Sequence, residues 1–480
     1  MGDVNAFYME GKDFSESYLY ELSMLAREFF PMAEIAKEPV DVNLYCEGRT
    51  WRLVAGEEVQ EHICPQDSVF AGIGGDAGKN SLKAGLYELL SRWTGRQVPW
   101  GILTGVRPTK IAYSALEQGR NRGELQKQLT EAFHLRGDKA ELMVQVADAE
   151  RQLLEDHRGT DLDLYVGIPF CPSKCSYCSF VSYDFHTLGD TMERYTQALV
   201  QEIRACGAFK KERRLQSFYM GGGTPTSLTP DQLDRVLGAI QEAFGFENMR
   251  EATVEAGRPD TITRERLGVL KKYGIDRISV NPQTMNEETL VRIGRRHTVE
   301  DTRRAFALAR DMGFTNINMD FIMGLPGEGL KEAAYSMEEV VKMAPDSLTV
   351  HTLAVKRSSR LNQEGMGESV LDSQDIEAMI AISAEAAARL GMKPYYMYRQ
   401  KNMAGNFENV GYSLPGKECL YNIEIMEERQ SILGMGAGAV SKFYEPEMNR
   451  LERLPNVKNV EEYIRRIDEM LERKKRRFDA

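Results

Sequence analysis

An α/β fold is the class this sequence predicts, and three observations predict it. Between residues 160 and 360 an apolar, β-rich run followed by an amphipathic helical segment recurs several times. Each run ends in Gly, Pro or a polar residue, where a strand hands over to a loop. The chain has 480 residues, 42% of them hydrophobic, which is enough to bury a sizeable core. Strands alternating with helices of this length imply a parallel sheet covered by helices. Six such units make either an open, incomplete barrel or a doubly wound sheet. In both, the chemistry belongs at the C-terminal ends of the strands.

The elements follow from the pattern in order. Residues 1–158 mix short strand-like and helical stretches, with a helix-rich segment at 132–156. The repeated strands are expected at 162–169, 215–221, 252–257, 276–281, 316–324 and 347–355. Helices are expected between them at 190–207, 231–244, 264–273, 299–311 and 331–343. Residues 361–480 add a helix at 375–390, a Gly-rich stretch and a charged tail.

Composition narrows the function classes. The 72 acidic residues outnumber 61 Lys and Arg, for a net charge of −11. Sequence-independent polyanion binding needs a basic footprint, so nucleic acid is not the expected partner. No apolar run reaches the ~18–20 residues of a membrane span, and Met1-Gly2-Asp3-Val4 opens no signal peptide. A cytoplasmic location is therefore expected. Seven cysteines, an odd number in a long acidic chain, argue for metal or catalytic thiols over a disulfide framework.

Three of those cysteines carry the strongest local signal. Cys171-Pro172-Ser173-Lys174-Cys175-Ser176-Tyr177-Cys178 is a C-x3-C-x2-C triplet just after the first repeated strand. Thiolates this close converge on one soft-metal site or are held apart by strong turns. A structural zinc needs a fourth ligand, and His186, the one nearby candidate, fits no common zinc spacing. Three thiolates on a four-iron cluster leave one iron open to an outside ligand. Cys46, Cys64, Cys206 and Cys419 are scattered and read as packing residues.

The segment YVGIPFCPSKCSYC resembles the cluster loop of the radical S-adenosylmethionine (SAM) superfamily, and more narrowly the oxygen-independent coproporphyrinogen III oxidases (coproporphyrinogen dehydrogenases) and their homologues. That likeness implies an open partial (βα)6 TIM-like barrel at 159–360. An N-terminal extension domain at 1–158 and a C-terminal α+β region at 361–480 covering the substrate would flank it. It also implies two cofactors. A [4Fe-4S] cluster sits on Cys171, Cys175 and Cys178, and SAM is chelated by the open iron and cleaved reductively to a deoxyadenosyl radical.

Gly221-Gly222-Gly223-Thr224-Pro225-Thr226 closes the second strand, and glycines there let backbone approach a ligand closely. Its position matches the family's SAM-binding glycine motif, through Gly222, Gly223 and Thr224. Glu255, Gln283, Arg295 and Asp320 follow at or beyond successive strand ends. Any one of them alone reads as a capping or solvated residue; together they form a constellation. By resemblance they contact SAM, with Asp320 suited to ribose hydroxyls and Arg295 to a carboxylate. Tyr165 and Tyr177 flank the cluster at matching positions, and Ala354 and Val440 match backbone or apolar contacts.

The implied reaction is oxidative decarboxylation of two propionates of coproporphyrinogen III to vinyl groups, giving protoporphyrinogen IX in haem biosynthesis. The implied partners are a tetrapyrrole and a low-potential electron donor such as flavodoxin or ferredoxin; a monomer is compatible. The substrate's carboxylates need cations and its macrocycle apolar walls. Arg399 and Lys401, with Lys356, Arg357, Arg360, Tyr395, Tyr396 and Tyr398, are the expected substrate face. Other readings are a haem-binding chaperone that keeps the cluster and SAM, or a radical SAM enzyme acting on another substrate.

Departures from the oxidase pattern are specific. Gly167 stands where those oxidases carry His, and Ser179-Phe180 follows the third cysteine without their additional one, as in the haem chaperones. The chaperones' His-Asn-x-x-Tyr-Trp motif is absent, and Gly416-Lys417-Glu418-Cys419-Leu420-Tyr421-Asn422 stands in its region. Two Gly-rich segments resemble nucleotide loops and fail on position. At 72–80 Ile73 replaces the required first glycine, and at 434–439 no βαβ unit follows. The second is expected instead to complete the active-site wall, and the 473–477 basic run to cap a helix C-terminus.

Overall fold

The computed structural model describes residues 4–479 except 13, 32, 74, 180–181, 185–189, 212, 355–360, 362–372 and 401–406. The chain divides into two compact units, Met1–Gln152 with Met397–Arg399, and Leu153–Tyr396 with Gln400–Ala480.

In the first unit β1 (Ala6–Gly11), β2 (Glu34–Ala36), β3 (Val42–Glu47), β4 (Thr50–Ala55) and β5 (Glu58–Ile63) form a sheet in the order β2-β1-β3-β4-β5. Strand alternation in β4 turns Trp51 and Leu53 inward, both fully buried, and Trp51 Nε1 donates to the Leu82 carbonyl at 2.8 Å. The helix expected at 132–156 begins later, as Gly137–Leu153. Its first residues instead pair with an earlier loop, Ile102 N–H to Phe133 O and Arg136 N–H to Pro99 O, both 3.0 Å. His134 takes a left-handed φ of 55° between them, which a helix cannot accommodate.

The second unit is built on β6 (Leu162–Ile168), β9 (Leu215–Gly222), β10 (Glu251–Glu255), β11 (Arg277–Ser279), β12 (Asn316–Met323) and β13 (Ser347–Thr352). These six strands run parallel, in the spatial order β6-β9-β10-β11-β12-β13. β7 (Phe170–Cys171) and β8 (Tyr183–Asp184) form a separate two-residue pair in the loop after β6. The sheet continues past β13 through antiparallel β15 (Asn409–Ser413) to β14 (Lys393–Tyr398). Past β6 it continues through parallel β16 (Ser431–Met435), then antiparallel β17 (Val440–Glu445) and β18 (Arg450–Pro455). The fold is thus the α/β partial barrel expected, open because β6 and β13 acquire different neighbours instead of each other.

Helices connect the parallel strands, as the period of the sequence requires. Thr229 and Thr298 each accept from the N–H three residues on, while Gln232 and Asp301 reach back to the cap, in two capping boxes. Strands buried on both faces explain the nearly unbroken apolar runs. Phe218 on β9 is fully buried, a burial that contributes about 2–3 kcal/mol. The Leu420–Glu427 helix is tied to the strands by polar groups: Glu251 accepts from the Leu420 N–H at 2.6 Å and from Cys419 Sγ at 3.2 Å.

The basic run reaches a helix C-terminus as expected, with Arg476 and Arg477 in the last turn, and takes a further role. It lies in the Ile467–Asp479 helix, where Lys474 is fully buried and ion-paired with Glu202, and Arg477 pairs with Glu445 and Glu452 at 2.7 Å. Glu202, on the amphipathic Thr191–Cys206 helix, supplies the buried countercharge that draws the lysine inward. Among the described residues, no helix is long and apolar enough to cross a membrane.

Candidate active site at the strand C-termini

The cluster loop leaves β6 and turns back through β7. Cys171 ends β7, and its Sγ lies 3.5 Å from Thr224 Oγ1. The glycine motif is stitched against the same turn: Gly223 N–H donates to Ile168 O at 2.8 Å and Thr224 N–H to Phe170 O at 2.7 Å. A Cβ on Gly223 would sit 2.6 Å from the Phe170 carbonyl, and Gly222 has a φ of +107°. Both positions therefore demand glycine.

Cys175 and Cys178 complete the loop, with the Cys178 N–H donating to Cys175 O at 3.2 Å. Ser173 Oγ donates to Gly294 O at 2.8 Å and Ser176 N–H to Ile293 O at 3.0 Å, so the turn that ends the Glu287–Arg292 helix holds the loop from the other side. Tyr177 packs on Ile293, Ile322, Leu325, Leu353 and Leu361, and its hydroxyl accepts from Arg295 Nη2 at 3.2 Å. Among the described residues no three Cys, His, Asp or Glu side chains converge tightly enough for a single metal ion. Three thiols strung along one loop suit a multi-iron cluster, in which each cysteine takes its own iron. His186 lies outside the described residues.

The polar residues at the strand ends form a connected set. The Tyr219 hydroxyl, two residues before Gly221, donates to Glu255 Oε1 at 2.5 Å. Burial pushes the Glu255 carboxyl up to about 7; the Tyr219 bond opposes this and the nearby Asp320 charge adds to it. Asp320, on β12, is pulled upward by burial, but hydrogen bonds and charge from His351, with bonds from Asn318 and Thr349, win and hold it below the usual carboxylate range. Asn318 Nδ2 donates to it at 2.6 Å.

Gln283 adopts φ 72°, strained for a residue with a Cβ, and is locked there by two β-type bonds. Its N–H donates to Asp320 O and its carbonyl accepts from Ile322 N–H, each 3.0 Å. Arg295 Nη1 donates to Asn281 O at 2.5 Å. Three buried atoms in this set have no partner: Gln283 Oε1, Asn281 Oδ1 and Arg295 Nε. Unsatisfied buried polar atoms are costly, and several at one strand-end cleft are what a missing polar ligand leaves behind. The thiol loop, the glycine cradle and these orphans fit a cluster with SAM.

Tyr165 and Tyr219, paired across β6 and β9, form an aromatic stack with Tyr421, centroids 4.6–6.4 Å apart. Sequence reasoning missed Tyr219, although strict strand alternation places it on the same face as the glycines' approach. It missed Tyr421 because its pairing is made by chain 200 residues away from β9. Ala354 and Val440 lie at the flanks, after β13 and at the start of β17.

Only part of the expected substrate face lies among the described residues. Arg399 is buried, bonded to the Leu103 carbonyl and to Glu28 at 3.2 Å, with its guanidinium 5.4 Å above the Trp100 ring. Within the first unit its guanidinium is engaged by these groups. Lys401, Lys356, Arg357 and Arg360 lie outside the described residues. Tyr395 and Tyr396 are buried. Burial pushes Cys46 and Cys206 up to about 12 and Cys64 to about 11, leaving inert thiols.

These features define a radical SAM protein, and the comparisons agree: residues 165–340 match the Radical SAM superfamily. The chain is 42% identical over 401 residues, 82% of its length and 80% of the other, to the oxygen-independent coproporphyrinogen-III oxidase-like protein HemZ of Bacillus subtilis (strain 168). It belongs to that family of oxygen-independent coproporphyrinogen oxidase-like proteins. The haem chaperone HemW of the same organism is 30% identical over 279 residues, 57% of this chain and 69% of its own. The solved structure of coproporphyrinogen III oxidase HemN from Escherichia coli shares the fold, with a TM-score of 0.54 at 23% identity over 68% of this chain and 73% of that one. The cofactors are accordingly a [4Fe-4S] cluster and SAM.

Proposed function

We propose that this chain is an oxygen-independent coproporphyrinogen III dehydrogenase, an oxidoreductase producing protoporphyrinogen IX. The observation that supports it is the 42% identity sustained over 82% of the chain to an oxidase-like relative. Each propionate would lose its carboxyl as CO2, one hydrogen atom from the β-carbon and one electron, leaving a vinyl group. The cluster with SAM, when bound, supplies the hydrogen-abstracting power.

The chain's own residues have separate tasks in this reading. Cys171, Cys175 and Cys178 hold the cluster. The Gly222–Gly223 backbone, Gln283 and Arg295 offer the polar groups that would fix the amino-acid end of SAM, and Asp320 would accept from its ribose. Glu255, near neutrality in its protonation and fixed by Tyr219, can hold or release a proton beside these groups. Tyr165 and Tyr421 wall the site on one side and exclude water. Residues 361–480 would cover the substrate; a low-potential donor such as flavodoxin or ferredoxin would supply the electron for reductive cleavage of SAM, and the electron lost by each propionate would pass to a separate one-electron acceptor.

A second reading is haem transfer by a chaperone, favoured by the 30% identity to HemW and by Ser179-Phe180 after the third cysteine. Anaerobic reconstitution with SAM, reductant and coproporphyrinogen separates the two. Protoporphyrinogen and deoxyadenosine forming together support the dehydrogenase. Stoichiometric haem binding without vinyl product supports the chaperone, and deoxyadenosine without tetrapyrrole turnover supports another substrate.

A further inference from the structure

The turn after β10 carries a buried arginine that none of the cofactor contacts above employs. Arg258, in EAGRPD, is 2% exposed and precedes the short Pro259–Thr261 turn. Its five N–H groups all find partners. Nε and Nη2 donate to the two oxygens of Asp260 at 3.2 and 3.3 Å. Nη2 also donates to Ser173 Oγ at 3.1 Å and Nη1 to Ser173 O at 3.2 Å. The remaining Nη1 hydrogen is directed at Cys175 Sγ, 3.8 Å away.

We propose that Arg258 sets the reduction potential of the iron–sulfur cluster through its hydrogen bond to the Cys175 sulfur. Reduction adds negative charge to the cluster, and a cation donating to a ligand sulfur stabilises that charge, so it raises the potential. The guanidinium side chain is 3% exposed, whereas its partner Asp260 is 25% exposed and nearer to water. Solvent therefore screens the compensating carboxylate more than the cation that faces the thiol loop. The planar fork matters as well as the charge: with four N–H groups spent on Asp260 and Ser173, the fifth cannot swing away. Arg258 is a positioning residue, acting through Cys175, and its role is independent of which substrate the enzyme takes.

The test is an EPR-monitored redox titration of the anaerobically reconstituted full chain without SAM, with iron counted per chain. Arg258→Gln at full iron content is expected to move the midpoint to a more negative potential. Arg258→Lys, which keeps the charge and shortens the reach, is expected to shift it less in the same direction. Ser173→Ala, which removes the two Oγ bonds, to Gly294 O and from Arg258 Nη2, but keeps the Asp260 and Ser173 carbonyl anchors and the donor to Cys175, is expected to move the midpoint less than either arginine variant. A wild-type midpoint in Arg258→Gln at full iron overturns the proposal. If that variant fails to retain its iron, Arg258→Lys decides: a midpoint equal to that of Ser173→Ala overturns the proposal, and a more negative one supports it.

Discussion

The phenol of Tyr219 donates to the carboxylate of Glu255 across 2.5 Å, from one parallel strand to the next, directly below the glycine motif. This bond is the main force opposing the burial that lifts Glu255 to about 7. Tyr219→Phe is therefore expected to raise the Glu255 titration further, read by carboxyl infrared or carbon NMR. The ordinary value is 4.5, and a carboxyl raised on folding loses stability as pH climbs from that value through the folded one. The loss is on the order of 3 kcal/mol when complete. Glu255→Gln should consequently melt higher than wild type at pH 8 and show no such gain at pH 4; equal gains at both would exclude the shift.

Cysteine substitutions should divide into two classes. Cys171→Ala, Cys175→Ala and Cys178→Ala are each expected to lose cluster iron and all deoxyadenosine formation. Cys206→Ala, at a fully buried packing site, should keep both and cost about 1 kcal/mol in stability. Iron content and product mass check the first class, and chemical denaturation the second. Deoxyadenosine from the Cys175 variant would defeat the cluster assignment.

Asp320 is held charged by His351 and Asn318 within β12, beside the segment that carries the orphaned Gln283 and Asn281 oxygens. If it accepts from SAM, Asp320→Asn replaces one charged acceptor by a neutral one. The expected cost is about 1.5–3 kcal/mol, roughly 10- to 150-fold in SAM affinity. Calorimetric titration of SAM into the reconstituted variant measures it, and unchanged affinity would remove Asp320 from the site.

Much of this site was legible because its signals are local. The cysteine spacing lies within eight residues, Gly222 and Glu255 end their strands, and Asp320 lies inside a strand whose extent could be read directly. What could not be read depends on partners distant in the chain. Arg258 looks like a surface charge until Ser173 and Cys175 fold against it, 85 and 83 residues earlier. Arg399 looked available for a carboxylate because nothing nearby announces Glu28, 371 residues away, as its partner. The six parallel strands were predictable from alternation alone. The outer strands β14 to β18 were not, since short runs such as Val440–Glu445 are half-exposed and their pairing is set by the sheet edge they join.

The buried pair of Glu202 and Lys474 shows how far such distant pairing governs stability. Both side chains are shielded from solvent, and Glu202 also accepts from Tyr463 at 2.5 Å, Asn456 at 2.9 Å and the Gly436 N–H at 2.7 Å. Lys474 donates in addition to the Gly434 carbonyl at 2.7 Å, so the C-terminal helix fixes the Gly-rich end of β16 beside β6. Burial pulls Glu202 upward, but Lys474 and these donors outweigh it and depress its titration below the usual range. A depressed carboxyl contributes stability above its unfolded value, and that stability is lost as pH falls through the folded one. Lys474→Met keeps the bulk and removes the charge, leaving a buried carboxylate uncompensated. The expected cost at neutral pH is about 3–5 kcal/mol, smaller at pH 4, where protonation relieves Glu202. Adding Glu202→Gln to Lys474→Met should recover most of that loss. Denaturation midpoints of the three proteins at both pH values test the argument, and a Lys474→Met cost that is independent of pH would refute it.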